Sequence, residues 1–225
     1  MTMQKSALAE ILHSGLLALG EDPVVHLQTG YLAYLALLQR WNKTYNLSGV
    51  RDPARMLTHH VLDSLAVLPH LQGARCLDVG SGAGLPGLIL ALARPATHWV
   101  LLDSNGKKVR FLNQCVRELA IANVDVVQAR VESYEPGLPF DTIISRAFGS
   151  LTAFYAATVR LLAPGGVLLA MKGPAPEAEL EAEITDTAEV TTIPLQVPGV
   201  EGGRTLVKIK QRHATSHKSR GNPIS

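Results

Sequence analysis

An α/β fold built on a mostly parallel sheet, with a helical N-terminal extension, is the architecture that three features of the sequence predict. From Ala74 onward short apolar runs alternate with helix-length segments, and a glycine-rich turn follows the first of these runs. Residues 1–72 instead repeat their apolar positions at helical spacing. A chain of 225 residues is long enough for one such domain with a small extension and too short for two with separate cores.

In the extension, Asp22-Pro23 reads as an N-cap with Pro at the first helical position. Leu27, Tyr31, Tyr34, Leu35 and Leu38 are the apolar stripe of the helix it opens. Asp52-Pro53 repeats the signal for a helix with the stripe Leu57, Val61, Leu65 and Leu68, ended by Pro69 and Gly73. The main domain, 73–210, then carries strand runs at Arg75 to Val79, His98 to Leu102, Val124 to Gln128, Asp141 to Ser145 and Gly166 to Met171. Thr191 to Val197 and Thr205 to Lys210, joined by a turn-like Pro198 to Gly203, are expected to close the sheet as an antiparallel pair. Residues 211–225 are polar, with Arg212, Lys218 and Arg220, and are expected to form a disordered basic tail. Parallel strands with helices on both faces put the ligand outside the strands' carboxyl ends, where the loops after the first four runs converge.

The composition, 47% hydrophobic and 18% charged, is that of an ordinary folded protein. No apolar run approaches the ~20 residues of a membrane span, and Lys5 and Glu10 in the first residues suit no secretory signal, so a cytoplasmic location is expected. Cys76 and Cys115 are expected as buried small hydrophobes without metal-ligand spacing. A net charge of +2 leaves any RNA contact to local basic patches. Glu177, Glu179, Glu181, Glu183, Asp186 and Glu189 read as an exposed acidic segment facing away from RNA. His59, His60 and Asp63 invite a metal reading, but no third ligand is apparent, and packing or hydrogen bonding accounts for them; no metal is expected.

The stretch Cys76 to Gly87, CLDVGSGAGLPG, raises the question of ligand. Gly82, Gly84 and Gly87 fit the dinucleotide pattern G-x-G-x-x-G literally. The same turn, opening onto a helix N-terminus, would also accept the amino-acid carboxylate of S-adenosylmethionine. Asp78, two residues before the first glycine, is placed to attract that ligand's ammonium group or to fix the loop, from which a dinucleotide would gain nothing. Asp103, ending the second run, is where a carboxylate meets ribose hydroxyls in either ligand. The competing enzyme would be an NAD-dependent oxidoreductase, but after Asp103 this chain carries no Tyr-x-x-x-Lys pair or comparable hydride-transfer machinery. A nonenzymatic rRNA-binding assembly factor is the competing reading from another class.

Asp78 to Gly87, Leu102-Asp103-Ser104, Arg110-Phe111-Leu112, Ser145-Arg146-Ala147-Phe148 and Met171-Lys172-Gly173 together closely resemble the ribosomal small-subunit methyltransferase G family, also called glucose-inhibited division protein B. Upstream, Trp41 to Leu47, Arg51-Asp52-Pro53 and His60 to Leu65 are similar to its N-terminal signatures, so the likeness covers roughly residues 30 to 175. Ser81 and Ala83 stand where Thr and Pro are usual in the family, and Asn105 where Leu is usual. The resemblance implies a class I (Rossmann-like) methyltransferase fold with a helical N-terminal extension that methylates N7 of a guanine, guanine 527 in the 530 loop, of 16S rRNA, and a small ribosomal subunit or its assembly intermediate is the expected substrate; a monomer is expected, although the sequence does not fix oligomeric state. Its implied cofactor is S-adenosyl-L-methionine. Carried over residue by residue, Gly80 and Leu85 would contact the methionine part, Asp103 the ribose, and Val131 and Glu132 the adenine, with Arg146 completing the pocket; Asp78, Gly82, Gly84 and Ser104 are expected in the same cofactor site.

N7 has an in-plane lone pair, so attack on a sulfonium methyl needs no prior proton removal and no general base is expected. An exocyclic-amine enzyme would carry Asp/Asn-Pro-Pro-aromatic where this chain has Ser145-Arg146-Ala147-Phe148, and a pyrimidine-C5 enzyme would need a cysteine there. Arg146 and Phe148 are the expected positioning residues, Phe148 by stacking on the base or, equally, by ordinary packing. Candidate RNA contacts are Arg40, Lys43, Tyr45 and Arg51 between helices, Lys107, Lys108, Arg110 and Arg117 on the helix after the second strand, and Lys172. Trp41 is expected to pack between the extension and the main domain.

Overall fold

The computed structural model describes residues 2–146, 148–173, 184 and 187–212. Two helices open the chain, α1 (Thr2–Ala18) and α2 (Val25–Tyr45). A broken helical segment follows: α3 (Pro53–Met56), a π-helical turn (Leu57–Leu62), α4 (Asp63–Leu65) and a 3-10 turn (Leu68–His70). Strands and helices then alternate as β1 (Arg75–Val79), α5 (Gly87–Ala93), β2 (His98–Asp103), α6 (Gly106–Glu118), β3 (Val124–Gln128), β4 (Phe140–Arg146) and α7 (Leu151–Thr158). The sheet ends with β5 (Leu162–Lys172), β6 (Ala188–Leu195) and β7 (Arg204–Gln211). Most of the acidic run and residues 213–225 of the basic tail lie outside the described residues.

The strand order is β3-β2-β1-β4-β5-β7-β6. β1 to β5 are parallel, and β7 runs antiparallel between β5 and β6. Chain progression reverses between β1 and β4, which makes the carboxyl ends of those two strands the switch point where an open α/β sheet binds ligands. Because side chains alternate across a strand, Cys76, Trp99, Leu101, Ile144 and Leu169 join one core. Leu77, Val79, Val100, Leu102, Ile143 and Leu168 join the other. The first core also contains Leu12 and Leu16 of α1, Tyr31 to Leu38 of α2, and the buried faces of α5 and α6. The N-terminal helices are therefore a further layer on one face of the sheet, with α7 on the other. Trp41 makes the junction, its ring 5.6 Å from Phe111 of α6. Cys76 and Cys115 are free, buried thiols, and burial pushes Cys76 up to about 12.

Three sequence expectations need correction. The first long helix starts at Val25, not after Asp22: Val24 is extended and caps nothing with its side chain, while Asp22 O accepts Val24 N–H in a tight bend. The Asp52-Pro53 start holds, with Asp52 Oδ1 accepting Arg55 N–H at 2.8 Å, but the helix it opens widens into the π-helical turn. That wider turn buries Leu57, Thr58, His60, Val61 and Leu62 together, so polar groups enter the inward face beside the apolar ones. β5 begins four residues before Gly166, because Leu162 already pairs with Phe140; the register then shifts, and Val167 lies opposite Thr142.

One hydrogen bond ties the extension to the sheet's ligand edge: the buried Tyr34 hydroxyl donates to Ala83 O at 2.7 Å, inside the glycine turn. Tyr34→Phe leaves that carbonyl without its donor and should lower stability by about 1–3 kcal/mol, read as a fall in the urea midpoint at unchanged m-value.

Candidate functional site

The turn from Gly80 to Gly87 is held by its neighbours at almost every step. Gly80, Gly82 and Gly84 have φ values of 71°, 59° and 84°, a backbone that L side chains rarely adopt. Gly80 N–H and Ser81 N–H donate to Leu102 O of β2, and Ser81 Oγ donates to Asp78 O. Asp78 Oδ2 accepts Gly87 N–H at 2.8 Å; a Cβ on Gly87 would lie 2.7 Å from that oxygen, so the approach is open to glycine alone. At Gly80 a Cβ would meet nothing within 4 Å, which leaves open space along the turn.

Asp78 is fully buried, and its Oδ1 has no hydrogen-bond partner among the described residues. Burial is the main cause that pushes its carboxyl up to about 7, against the pull of Gly87 N–H and Arg146. Asp103, also buried, accepts Gly82 N–H at 2.9 Å and Asn105 N–H at 2.8 Å, with Lys108 Nζ 3.7 Å away. Asn105 in turn caps α6 by accepting Lys107 N–H, which gives a local reason for Asn at that position.

A cavity of about 670 Å³ runs from this turn across the ends of β4 and β5. Gly80 to Ala83, Leu85 and Lys108 line one side; Leu47 to Val50, His59, His60 and Asp63 line the other. Arg146, Met171 to Gly173 and Arg204 complete it. The Leu47 to Val50 wall is clamped by Asn42, whose amide donates to Ser48 O (2.8 Å) and accepts Ser48 N–H (2.9 Å). His60 Nε2 lies 2.7 Å from Ser48 Oγ, and its Nδ1 lies 2.9 Å from His59 O. With the Nδ1 proton given to that carbonyl, Nε2 accepts the serine proton. Burial, helped by the nearby Arg146, holds His60 down at about 4, so the ring is neutral at physiological pH. His59 Nδ1 pairs with Thr58 Oγ1.

Asp63 is the buried carboxylate of the far wall. Oδ1 accepts Arg204 Nε at 3.1 Å and Oδ2 faces Arg146 Nη1 at 3.5 Å. Burial raises its pKa even against the two guanidinium groups. Arg146 Nη1 also donates to His59 O at 3.0 Å. Among the described residues no group of His, Cys, Asp and Glu could hold a metal ion.

The structure thus brings together Gly80, Gly82, Leu85, Lys108, Arg146 and Lys172 of the expected site residues in one cavity, with Asp78 and Asp103 holding the turn behind it. Gly84 N–H is taken by Ser81 O within the turn, and Ser104 is exposed beside Asp103. Val131 is buried in the second core beyond β3, and Glu132 is exposed beside it; neither lines the cavity. Phe148 also lies off it, its ring packed 5.4 Å from Phe154 of α7. Lys172 Nζ donates to Gly149 O at 2.7 Å. Of the other basic and aromatic candidates, Arg40 pairs with Glu118 of α6 at 2.7 Å, and Arg51 donates to Asn46. Lys43, Tyr45, Lys107, Arg110 and Arg117 are exposed. Sequence reasoning missed Arg204, Ser48 and Asn42. Gly202-Gly203 immediately before a strand-start arginine is a weak signal for the first, Asn42 lies within the Trp41 to Leu47 signature, and nothing local marks Ser48.

The model of the family described as rRNA small subunit methyltransferase G matches residues 28–208. A relative from Nitrosococcus oceani named ribosomal RNA small subunit methyltransferase G is 49% identical over 92% of this chain and 97% of its own length. Another of the same name, from Alkalilimnicola ehrlichii, is 48% identical over 91% of this chain and 93% of its own. Among solved structures, the fold is similar to that of a SAM-dependent methyltransferase from Aquifex aeolicus (TM-score 0.52, 20% identity, 70% of this chain and 93% of that one). It is also similar to that of the O-methyltransferase TomG from Streptomyces achromogenes (TM-score 0.56, 16% identity, 80% and 90%). The fold is the Rossmann-like one of these methyltransferases, and by sequence the chain belongs to the rRNA small subunit methyltransferase G family.

Proposed function

We propose that this protein transfers the methyl group of S-adenosylmethionine to N7 of a guanine in 16S rRNA, guanine 527 of the 530 loop. The observation that carries the reading is a single cavity with two unlike walls. On one side a glycine turn backs onto a buried carboxylate oxygen without a donor; on the other His59, His60 and Asp63 are all already hydrogen-bonded. The first wall fits a cofactor that carries an ammonium group. The second ties His60 and Asp63 into hydrogen bonds of the wall itself, and a nucleophile that has no proton to lose asks no base of it. The curated relatives are named for methylation of small-subunit ribosomal RNA, in agreement with this reading.

The cofactor supplies an electrophilic methyl group on a sulfonium. The work left to the chain is orientation and electrostatic preorganisation, for which good alignment alone contributes about 7–11 kcal/mol. Gly80, Gly82, Gly84 and Leu85 hold the methionine part. A carboxylate has about four acceptor sites, and Asp103 uses two on Gly82 and Asn105 N–H, which leaves room for ribose hydroxyls with Ser104 alongside. Val131 and Glu132 bound the adenine at the end of β3. Arg146, fixed to His59 O, orients the centre of the cavity, while Phe148 acts by seating the loop after β4 on Phe154. Reaching N7 needs an unstacked base, which a single-stranded loop presents more readily than a duplex. Lys108 and Lys172 in the cavity, and Lys43, Tyr45, Arg51, Lys107 and Arg110 around it, meet the RNA.

Three outcomes test the reading. Labelled methyl transferred to 16S rRNA lacking its own methylation should appear as 7-methylguanosine by mass spectrometry. Asp103→Ala, which removes charge-assisted bonds of about 1.5–3 kcal/mol each, should weaken cofactor binding by about 10- to 100-fold. The third outcome is pH dependence. The native Asp78 carboxyl keeps its proton up to about pH 7, whereas an unfolded one loses it near about 4. The unfolded chain releases its proton first, so this group's contribution to stability falls as pH rises through that window. A bound ammonium favours the ionised carboxylate, so binding expels the proton below about pH 7 and affinity should increase from pH 5 to 7. Titration calorimetry should show that rise in the wild type and a flat profile in Asp78→Asn.

A further inference from the structure

We infer that His59 is a specificity residue of the substrate site: its Nε2 accepts a hydrogen bond from the exocyclic 2-amino group of the target guanine. The inference rests on the reading of the reaction as N7 methylation and names the group that holds the opposite edge of the base. Three observations carry it.

The first is how firmly the residue is held. His59 lies in the π-helical turn between Thr58 and His60, both buried, and is itself half-buried in the cavity wall. Its carbonyl is gripped twice, by Arg146 Nη1 at 3.0 Å and by His60 Nδ1 at 2.9 Å. Its ring is fixed as well, through the 2.8 Å contact of Nδ1 with Thr58 Oγ1. A side chain anchored at its carbonyl and at one ring nitrogen has little freedom left to lose when a ligand binds.

The second is the tautomer. A threonine hydroxyl has one proton, and Thr58 gives it to Arg55 O, 3.2 Å away, the back-bond that a threonine inside a helix makes to the preceding turn. The Thr58 oxygen is left to accept, so the His59 proton sits on Nδ1 and Nε2 carries the lone pair. Nε2 has no hydrogen-bond partner among the described residues and is open to solvent. The neighbouring side-chain acceptors are engaged: Asp63 by Arg204 and Arg146, His60 Nε2 by Ser48, and Ser81 within its own turn.

The third is complementarity. N7 and the 2-amino group lie on opposite edges of guanine, one facing the major and the other the minor groove of a duplex. With N7 turned to the cofactor beside the glycine turn, the amino group points to the opposite wall, where His59 stands. Guanine alone among the bases carries a donor on that edge, and the lysine and arginine side chains of the cavity, being donors only, cannot receive it. A lone acceptor on this wall therefore reads guanine against adenine. His59 acts on the edge of the base and not on the reacting atoms.

The test compares 16S rRNA carrying guanosine or inosine at the target position, since inosine keeps N7, O6 and N1–H and lacks only the 2-amino group. Methyl transfer is followed with labelled S-adenosylmethionine and the product nucleoside identified by mass spectrometry. Wild-type kcat/KM should favour guanosine by about 10- to 100-fold, the value of one buried hydrogen bond and the acceptor left unpaired without it. His59→Phe keeps a ring and removes the acceptor, so the ratio should fall to about 1 with the loss on the guanosine side. His59→Gln, which still offers an oxygen acceptor, should keep part of the preference. Thermal unfolding and calorimetry with S-adenosylhomocysteine report that each variant is folded and holds the cofactor product, and the wild-type comparison needs no variant. Equal N7 methylation of both RNAs by the wild type sinks the assignment and leaves the proposed reaction standing. A preference that survives His59→Phe gives the amino group to a backbone carbonyl of the Leu47 to Val50 wall instead, and an equal fall on both RNAs reduces His59 to packing. If the wild type forms no 7-methyl product on either RNA, the proposed reaction falls and this assignment with it.

Discussion

Everything at the ligand edge depends on keeping one glycine turn in place. Three glycines with left-handed backbones are conformationally expensive to order, and the chain restrains them from three directions. Asp78 pins Gly87 from below, Asp103 pins Gly82 from β2, and Tyr34 pins Ala83 from the N-terminal extension. Each restraint is a buried polar side chain on a backbone group, the kind of bond that costs most when one partner is removed. The extension is thus part of the site's mechanics: without α2 the turn would lose the donor that fixes its middle.

The same economy explains the distribution of charge. Asp78 and Asp103 beside the turn each accept backbone N–H groups, and Asp63 on the far wall pairs with two arginines. The basic side chains that line the cavity are Lys108, Arg146, Lys172 and Arg204, with Lys108 3.7 Å from Asp103 and both arginines on Asp63. On a chain whose formal charge is only +2, the basic groups of the site are thus gathered around buried acids, where pairs are screened by salt much less than on the surface.

What was legible in the sequence is what depends on near neighbours. β1 and β3 begin and end where their apolar runs do, and Asp52 caps its helix from three residues away. The glycine turn and its two acids were visible because close backbone approach can be met in so few ways. Illegible were the contacts made across the fold. Asp63 and Arg204 are 141 positions apart, and Tyr34 reaches Ala83 over 49; neither periodicity nor spacing encodes such a pair. Phe148 shows the converse: its place after β4 leaves stacking on the base and ordinary packing equally open in the sequence, and in the fold a neighbouring aromatic on α7 offers apolar burial at short range, where the ring packs. The π-helical turn escaped because its residues also satisfy an ordinary helical stripe, Leu57, Val61 and Leu65 being buried in either geometry.

That wider turn bears on why a helical layer is fused to the sheet at all. A doubly wound sheet presents a crevice at its switch point, but only the strand ends and their loops furnish it with side chains. Here the missing wall comes from the extension: the π-helical turn brings His59 and His60 to the cavity, and Asp63 follows directly after it. Asn42 on α2 clamps Ser48, and Ser48 in turn holds His60, so the wall is a chain of hydrogen bonds anchored on a long helix. Asp63 then carries the connection back to β4 and β7 through two arginines. The extension's wall of the cavity is therefore held by segments far apart in sequence that meet only in the folded chain. The glycine-turn wall is built largely within the stretch from Asp78 to Lys108, apart from the Tyr34 bond.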